Sequence, residues 1–510
     1  MKRTEFIQLL GFTAASVSLK PYRKSWPGWK NDRLVASPLM AGEVSPHQVI
    51  LQTRLCEQKL IPEKKYDTAR EIIDTEIQGV PGEARFEIAD NKEFENSKLA
   101  SWQKAILDHD YMVKQRFQKL KNDTTYYYRI HFKNQNTNEQ VSEIGEFKTL
   151  PGENSNRPTR FVISSCLNFG RFFLGHHFGQ DANPESWQQP YEGSDRTLGY
   201  PGLKAIKDVN PDFWVQTGDN VYYDQPPNFK ATTKSELRAK WHRQMGLSRM
   251  HDLLKRIPVF WMKDDHDFRF DDADNSNPHR QPSSELGMET FREQVPVALF
   301  DSKNKPTYRT YKVNDLLQIW MTEGRDYRSP NSDNDGPGKT IWGKEQNEWL
   351  RNTLLKSDAT FKILIVPSPL IGPDDARKHD NHVDYGGFQY ERDQFFRWLD
   401  THNFQNKNFY IITGDRHWQY HSMHPLGFEE FGTGTLVTQN SRIGREPGDP
   451  ASTDPLGLIK QPYIQNPPTG GFIQVDVNKP DKNMNATLQL HFIDEYGNEL
   501  NRIEKRLDSN

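Results

Sequence analysis

The sequence predicts an α/β protein with an N-terminal antiparallel β-sandwich followed by a larger domain of layered strands and helices. Short apolar runs rich in β-branched and aromatic residues recur at close spacing up to about residue 151. From residue 160 onward such runs alternate with helical patterns, which is typical of an α/β core. In addition, four runs of the second part end in polar clusters that contain possible metal ligands.

The predicted sandwich spans residues 45–151. Its strands, separated by turns, are expected at residues 49–55, 84–88, 113–117, 126–132 and 145–149. The segment from Asn122 to Arg129 is similar to the late strands of a fibronectin type III module. We therefore expect a fibronectin type III-like sandwich, which a polar linker at residues 152–159 joins to the rest of the chain.

The second domain is predicted to span residues 158–505. Its helices are expected at residues 235–254, 343–355 and 390–399. Near the end of the chain, residues 471–477 and 486–492 have the pattern of a β-hairpin.

Residues 1–40 are interpreted as a signal-like export segment and linker. Lys2 and Arg3 precede a short apolar run from Phe6 to Val17, and this pattern is typical of an export signal. The pair resembles a twin-arginine signal in which one arginine is replaced and the spacing differs by one, so twin-arginine export machinery is an expected partner and a general secretory signal is the alternative. The expected location is periplasmic or extracellular. The run is too short for a transmembrane anchor. An amphipathic N-terminal helix is the alternative.

Composition narrows the function further. With 510 residues the chain is long enough for two domains. Its 29 Phe, 19 Tyr and 12 Trp supply core material that a disordered chain would lack. The net charge of −3 argues against a nucleic-acid partner, and two cysteines are too few for a disulfide framework.

Four polar clusters follow apolar runs and carry the chemistry. They are Ser164-Ser165-Cys166, Gly218-Asp219-Asn220-Val221-Tyr222, Asp264-Asp265-His266-Asp267 and Gly414-Asp415-Arg416-His417. Ligands of open α/β sheets bind where the strands end, so the four clusters could meet at one place. Thiol, carboxylate, phenol and imidazole groups suit metal ions.

Asp219 and Tyr222 lie three residues apart in a predicted turn and could reach one ion. Phenolate prefers a highly charged ion such as ferric iron, and a thiolate at Cys166 would be deprotonated by the same ion. The alternatives are an aspartate that caps a turn, a tyrosine in the core and a buried structural thiol.

The three carboxylates at residues 264–267 would repel one another if they were buried without cations. Asp415 and His417 alternate, so both would point the same way along a continuing strand. A solvated acidic turn and a salt-bridged turn are the alternatives. Taken together, the four clusters favour a pair of cations that activates water for displacement at phosphorus.

These clusters resemble those of the PhoD-type alkaline phosphatases, a branch of the calcineurin-like metallophosphoesterases related to purple acid phosphatases. The resemblance covers nearly the whole chain, including residues 323–328, 367–373 and 387–392. It implies a calcineurin-like αββα catalytic domain. It also implies a secreted metal-dependent phosphatase that hydrolyses phosphate monoesters, diesters or both with a metal-activated hydroxide.

The resemblance further implies roles for single residues. Ferric iron (Fe³⁺) would be held by Cys166, Asp219, Tyr222 and His417. Asp219 would bridge to a second site completed by Asp265 and Asp415, whose oxygen ligands suit one or two calcium ions (Ca²⁺). His266 would polarise the phosphate or protonate the leaving group, and Asn168 and Arg171 would hold phosphate oxygens.

Two other functions stay open at this point. One is a phosphodiesterase or phospholipase D-like enzyme on the same fold. The other is a non-catalytic surface-binding protein with a vestigial metal site. The stretch from His379 to His382 could be a substrate loop or a solvated surface, and its polar composition favours the surface.

Overall fold

The structure is a computed structural model, which describes residues 33–63, 66, 68–175, 186–302, 305–479 and 485–507. Most of the predicted export segment lies outside these residues, so the export signal stays a prediction. Within this part of the chain, every helix is too short or too polar to span a bilayer.

The N-terminal strands pack as two sheets. They are β1 (Val35–Ala36), β2 (Met40–Gly42), β3 (Gln48–Cys56), β4 (Gly82–Ala89), β5 (Lys98–Leu99), β6 (Gln103–Ala105), β7 (Met112–Gln118), β8 (Thr125–Asn134), β9 (Thr137–Val141) and β10 (Gly145–Lys148), with helix α1 (Ala69–Asp74) after β3. One sheet has the order β10-β8-β4-β5, with β6 and β9 at its sides, and in the other β3 pairs with β1, β2 and β7. Leu51 and Phe86 share the core of the antiparallel sandwich, which confirms the predicted architecture.

The second part contains the remaining elements. Its strands are β11 (Thr159–Ser164), β12 (Phe213–Gln216), β13 (Val259–Trp261), β14 (Arg309–Lys312), β15 (Leu317–Met321), β16 (Phe361–Val366), β17 (Phe409–Thr413), β18 (Gln419–Met423), β19 (Glu429–Thr433), β20 (Lys460–Ile464), β21 (Gly471–Asn478), β22 (Thr487–Asp494) and β23 (Glu499–Arg506). Its helices are α2 (Phe169–Leu174), α3 (Pro201–Val209), α4 (Lys234–Met245), α5 (Ser248–Leu254), α6 (Asp265–Phe268), α7 (Ser284–Gln294), α8 (Gly343–Lys356) and α9 (Gln389–Thr401).

These strands form two sheets that pack face to face between helices. The first has the order β13-β12-β11-β21-β22-β23, and the second has the order β14-β15-β16-β17-β19-β18-β20. Successive strand residues point to opposite faces. Phe161 and Ile163 of β11 and Ile363 of β16 therefore meet in the layer between the sheets. Val162 and Leu364 pack instead in the outer layers that contain the helices, which confirms the αββα arrangement.

The two parts share one sheet, which the sequence did not predict. Gly42 of β2 pairs in parallel with Val259 of β13, so the sheet of β1, β2, β3 and β7 continues into the first sheet of the αββα layers. The buried Lys114 of β7 also donates hydrogen bonds to the carbonyl oxygens of Arg292 (2.6 Å) and Val295 (2.7 Å) at the end of α7. The division at residues 151 and 158 stays a prediction.

One predicted helix was wrong. The expected helix at residues 235–254 is two helices, α4 and α5, which are separated at Gly246 and Leu247. The chain passes close to its neighbours there, because a Cβ atom on Gly246 would lie 2.7 Å from Ile61 and 2.7 Å from Ile77. The predicted helices α8 and α9 and the hairpin of β21 and β22 are confirmed.

Candidate metal centre

The four polar clusters meet because the strands before them run in parallel. β11, β12 and β13 are parallel neighbours in the first sheet, and β16 and β17 are parallel neighbours in the second. Cys166, Asp219 and Asp415 follow β11, β12 and β17 and have φ angles of 59°, 55° and 63°. Non-glycine residues seldom adopt positive φ, and such strain gathers at functional sites.

Gly218 lets two of these turns approach each other. Its φ is 131°, and a Cβ atom there would lie 2.7 Å from the backbone nitrogen of Asp264. A side chain at this position would force the turn after β12 away from the turn after β13. The glycine therefore brings Asp219 against the acidic cluster.

The first cluster consists of Cys166, Asp219, Tyr222 and His417, which are all buried. One ligand atom each from Cys166, Asp219 and His417 lies within 4.8 Å of the others. The Cys166 thiol lies 3.4 Å from Asp219 Oδ2, and the Tyr222 hydroxyl donates to the same oxygen at 3.1 Å. The structure thus brings the four predicted iron ligands together.

The second cluster consists of Asp264, Asp265 and Asp415, whose carboxylate oxygens also lie within 4.8 Å of one another. Asp265 belongs as well to a group with Asp219 and His266 at the same spacing. The two clusters are therefore neighbours that are joined through Asp219 and Asp265. Asp264 was missing from the predicted ligand set, although it lies in the predicted acidic motif.

Three buried cations surround the second cluster. Arg325 Nε lies 2.6 Å from Asp264 Oδ1, and the Arg416 guanidinium forms ion pairs with Asp415 and Asp374. The buried Lys378 ammonium lies 3.7 Å from Asp380 and, after Arg416, also favours the ionised form of Asp415. Burial opposes ionisation of Asp415, but Arg416 outweighs it and holds the pKa of Asp415 below its usual range.

The donor set fits metal ions. Asp264 Oδ2 and Asp265 Oδ1 are buried without a hydrogen-bond partner in the described residues. Burial raises the pKa of Asp264 to about 8, and it raises the pKa of Asp219 well above its usual value. Such carboxylates would be stabilised as anions by a cation. The hard oxygen donors of the second cluster and the thiol and phenol of the first match different kinds of ion.

The thiol, the phenol and the imidazole of the first cluster are neutral. Burial and then Asp219 raise the pKa of Cys166 and of Tyr222. Burial and then Arg442 lower the pKa of His417 well below its usual value, and Arg442 Nε lies 3.2 Å from His417 Nδ1. A neutral imidazole is the form that binds metals.

His266 lies beside both clusters and is oriented by Asp224. Its Nδ1 lies 2.8 Å from Asp224 Oδ1, and its ring centroid lies 4.2 Å from that of Tyr222. Burial favours the neutral ring, but Asp224, followed by Asp265, outweighs burial and raises the pKa of His266 well above its usual value. This histidine is therefore built to hold a proton next to the carboxylates.

Asn168 and Arg171, which were predicted to hold phosphate, lie at the start of α2. Asn168 is buried, and its Oδ1 caps the helix by accepting from the Arg171 backbone nitrogen at 3.0 Å. Its Nδ2 donates to Asn440 Oδ1 at 3.4 Å. The Arg171 side chain is partly exposed. The predicted phosphate contacts of both residues stay predictions.

The predicted solvated surface at residues 379–382 was wrong for three of the four residues, since only His379 is exposed. Asp380, Asn381 and His382 are buried because each has a partner in the interior. Asp380 pairs with Arg325 at 3.4 Å, and Asn381 donates to Asp415 at 3.1 Å. His382 lies 2.9 Å from Glu391. This segment therefore contacts Asp415 of the second cluster and Arg325, the partner of Asp264.

Comparisons with known proteins found similar sequences and similar folds. A family model described as PhoD-like phosphatase matches residues 161–449, which is more than half of the chain. A model for the N-terminal domain of PhoD-like phosphatases matches residues 28–151. Alkaline phosphatase D of Bacillus subtilis (strain 168) is 23% identical over 439 residues, which cover 76% of this chain and 68% of that protein.

Two solved structures share the fold. A structure of PhoD has a TM-score of 0.68 and 17% identity, and the match covers 92% of this chain and 90% of that one. A purple acid phosphatase from yellow lupin (Lupinus luteus) seeds has a TM-score of 0.56 and 12% identity, and the match covers 93% of this chain and 74% of that one.

Proposed function

Since this chain belongs to the PhoD-like phosphatase family and is a metal-dependent phosphoric ester hydrolase, we propose that its two joined clusters hold two kinds of metal ion. The observation that carries the proposal is the junction itself, because Asp219 and Asp265 each belong to more than one group of close ligand atoms. Carboxylates shared between neighbouring cations are typical of two-metal phosphoesterase sites.

The first cluster would hold ferric iron through Cys166, Asp219, Tyr222 and His417. Thiolate and phenolate are ligands that a trivalent ion deprotonates and binds well. The second cluster would hold calcium through Asp265 and Asp415, with Asp219 as the bridge and Asp264 as an added oxygen donor. When bound, the two cations supply activation of water and neutralisation of charge on the phosphoryl group.

The protein itself would contribute proton transfer and orientation. His266 Nδ1 lies 2.8 Å from Asp224 Oδ1, and its Nε2 lies 3.7 Å from the carboxylate of the exposed Asp271. The role of Nε2 would be to face a phosphoryl oxygen or a leaving group. We propose that His266 gives its proton to the departing alkoxide. Arg171, at the start of α2, is proposed to hold a phosphate oxygen.

The proposed substrates are small phosphate esters, mono- or diesters. Paired assays with p-nitrophenyl phosphate and bis(p-nitrophenyl) phosphate separate the two classes, and vesicles of phosphatidylcholine test the phospholipase D-like alternative. Elemental analysis after expression with iron and calcium tests the metals. Absence of both metals and of turnover would contradict the proposal and favour a surface-binding protein with a vestigial site.

We also propose that residues 1–40 direct export to the periplasm or the cell exterior through the twin-arginine machinery. The support is the Lys2-Arg3 pair before the apolar run that ends near Val17. Fusion of residues 1–40 to a reporter should export it, and R3Q should retain it inside the cell. Equal export of both fusions would contradict a twin-arginine route.

A further inference from the structure

Asn440 contacts two residues of the first cluster, although no motif in the sequence pointed to it. It ends a 3₁₀ turn at Thr438–Asn440 and is buried. Its Nδ2 donates to the Tyr222 hydroxyl oxygen at 3.0 Å and lies 3.4 Å from His417 Nε2. Its Oδ1 accepts from Asn168 at 3.4 Å. A single amide therefore links two proposed iron ligands to α2.

Asn168 determines which way the side-chain amide of Asn440 is oriented. Asn168 Oδ1 caps α2, so the NH₂ group of Asn168 points the other way, toward Asn440. Asn440 must then present its oxygen to Asn168 and its own NH₂ group to Tyr222. The cap of a helix thus fixes which end of Asn440 faces the phenol.

A donor at this place has a specific value for a phenolate. The Tyr222 hydroxyl donates a hydrogen bond to Asp219 Oδ2 at 3.1 Å. An ionised Tyr222 would have no proton to give and would need donors instead. The NH₂ group of Asn440 is such a donor, and hydrogen bonds to charged oxygen are about twice as strong as neutral ones.

We propose that Asn440 is a positioning residue that holds the Tyr222 phenolate as a ligand, and that Asn168 orients Asn440 instead of contacting phosphate. This inference rests on the proposed iron site. It predicts that both asparagines affect the electronic state of Tyr222, whereas a phosphate contact at Asn168 would affect only substrate binding.

The test compares N440L, N168S and Q439L in protein expressed with iron and calcium. Leucine has nearly the size of asparagine but no donor, and serine at residue 168 keeps the helix cap but cannot reach Asn440. Loss of the donor raises the energy of the phenolate electrons. The phenolate-to-iron absorption band of N440L and N168S should therefore move to longer wavelength, and kcat should fall about tenfold.

Q439L is the matched control, because Gln439 lies in the same turn and should leave the band in place. A wild-type band position in iron-loaded N440L would overturn the proposal. So would N168S with a raised KM and an unmoved band. If N440L does not fold or bind iron, the position of the absorption band in N168S alone tests the proposal. A wild-type protein that binds iron without such a band would instead contradict the iron site of the proposed function.

Discussion

The two clusters of the candidate metal centre are neighbours, but the fold supports them differently. In the first cluster, Ser165 and Asn440 contact the thiol and the phenol through neutral groups. In the second cluster, the buried guanidinium groups of Arg325 and Arg416 contact the carboxylates. A thiol and a phenol are neutral until a metal removes their protons. A buried carboxylate is anionic only where positive charge compensates its burial: Arg416 does so for Asp415, whereas burial raises the pKa of Asp264 to about 8.

Because of this difference, we expect the two clusters to respond differently to metal removal and to substitution. The first should depend on its metal for ionisation and should report that metal in its absorption. The second should depend on the arginines for stability and should bind an exchangeable divalent ion.

Replacement of the shared carboxylate should affect both clusters. D219N should lower kcat with bis(p-nitrophenyl) phosphate by roughly a thousandfold, because about 4 kcal/mol of charge stabilisation is lost with the metals. Elemental analysis should show loss of iron and calcium together. Asp252, a half-buried residue of α5 that pairs with Lys207 and Lys255, supplies a control, since D252N should change kcat little. Full retention of both metals in D219N would show that the clusters are not joined.

Removal of calcium should separate the clusters. Treatment with EGTA should lower turnover by about a hundredfold, reversibly, because the second cluster offers only oxygen ligands that release calcium. The phenolate-to-iron band should remain during the treatment. Turnover and spectrum should be measured on the same sample. A band that disappears together with activity would contradict the assignment of the two ions.

Loss of the phenol should affect the first cluster alone. Y222F should remove the absorption band and lower kcat about tenfold or more, while the dependence of the remaining activity on calcium stays the same. The neighbouring Tyr223, which accepts from Trp241 at 2.8 Å, provides the matched variant Y223F. Y223F should keep the band. A band in Y222F would mean that another group supplies it.

Loss of a buried guanidinium should lower stability more than it changes the spectrum. R325M leaves Asp264 without its partner at 2.6 Å, and the free energy of unfolding should fall by about 3 kcal/mol. Added calcium should recover part of this loss, as measured by denaturant unfolding with and without the ion. R351M, which changes a half-buried residue of α8, is the control and should lower the free energy of unfolding by less. Equal stability of R325M and wild type would contradict the charge argument.

Much of the centre could be predicted because its ligands follow strands. Cys166, Asp219 and Asp415 stand directly after apolar runs, and a parallel sheet brings such positions to one edge. Asn440 and Lys378 could not be found in this way. Asn440 ends a short 3₁₀ turn, and Lys378 lies outside helices and strands. Both reach the centre through contacts between residues far apart in sequence, which leave no periodic pattern.

The fold, too, could be predicted only where the sequence carries a pattern. The sequence located the long strands β3 and β8, because β3 begins with a run of β-branched and aliphatic residues and β8 alternates between buried and less buried side chains. β2 has three residues, and its pairing with β13 through Gly42 joins the sandwich to the catalytic sheet. So short a strand carries no pattern. The buried stretch around Asp380 was mistaken for a surface because a charged residue reads the same in sequence whether it faces water or Arg325.

The most direct test is an X-ray diffraction measurement on crystals of the metal-loaded protein at the iron absorption edge. We expect an anomalous iron peak within bonding distance of Cys166 Sγ, Tyr222 Oη and His417. A second ion, without an iron signal, should lie among Asp264, Asp265 and Asp415. An iron peak that lies only among the three aspartates, or a first cluster that stays empty in active protein, would contradict the account.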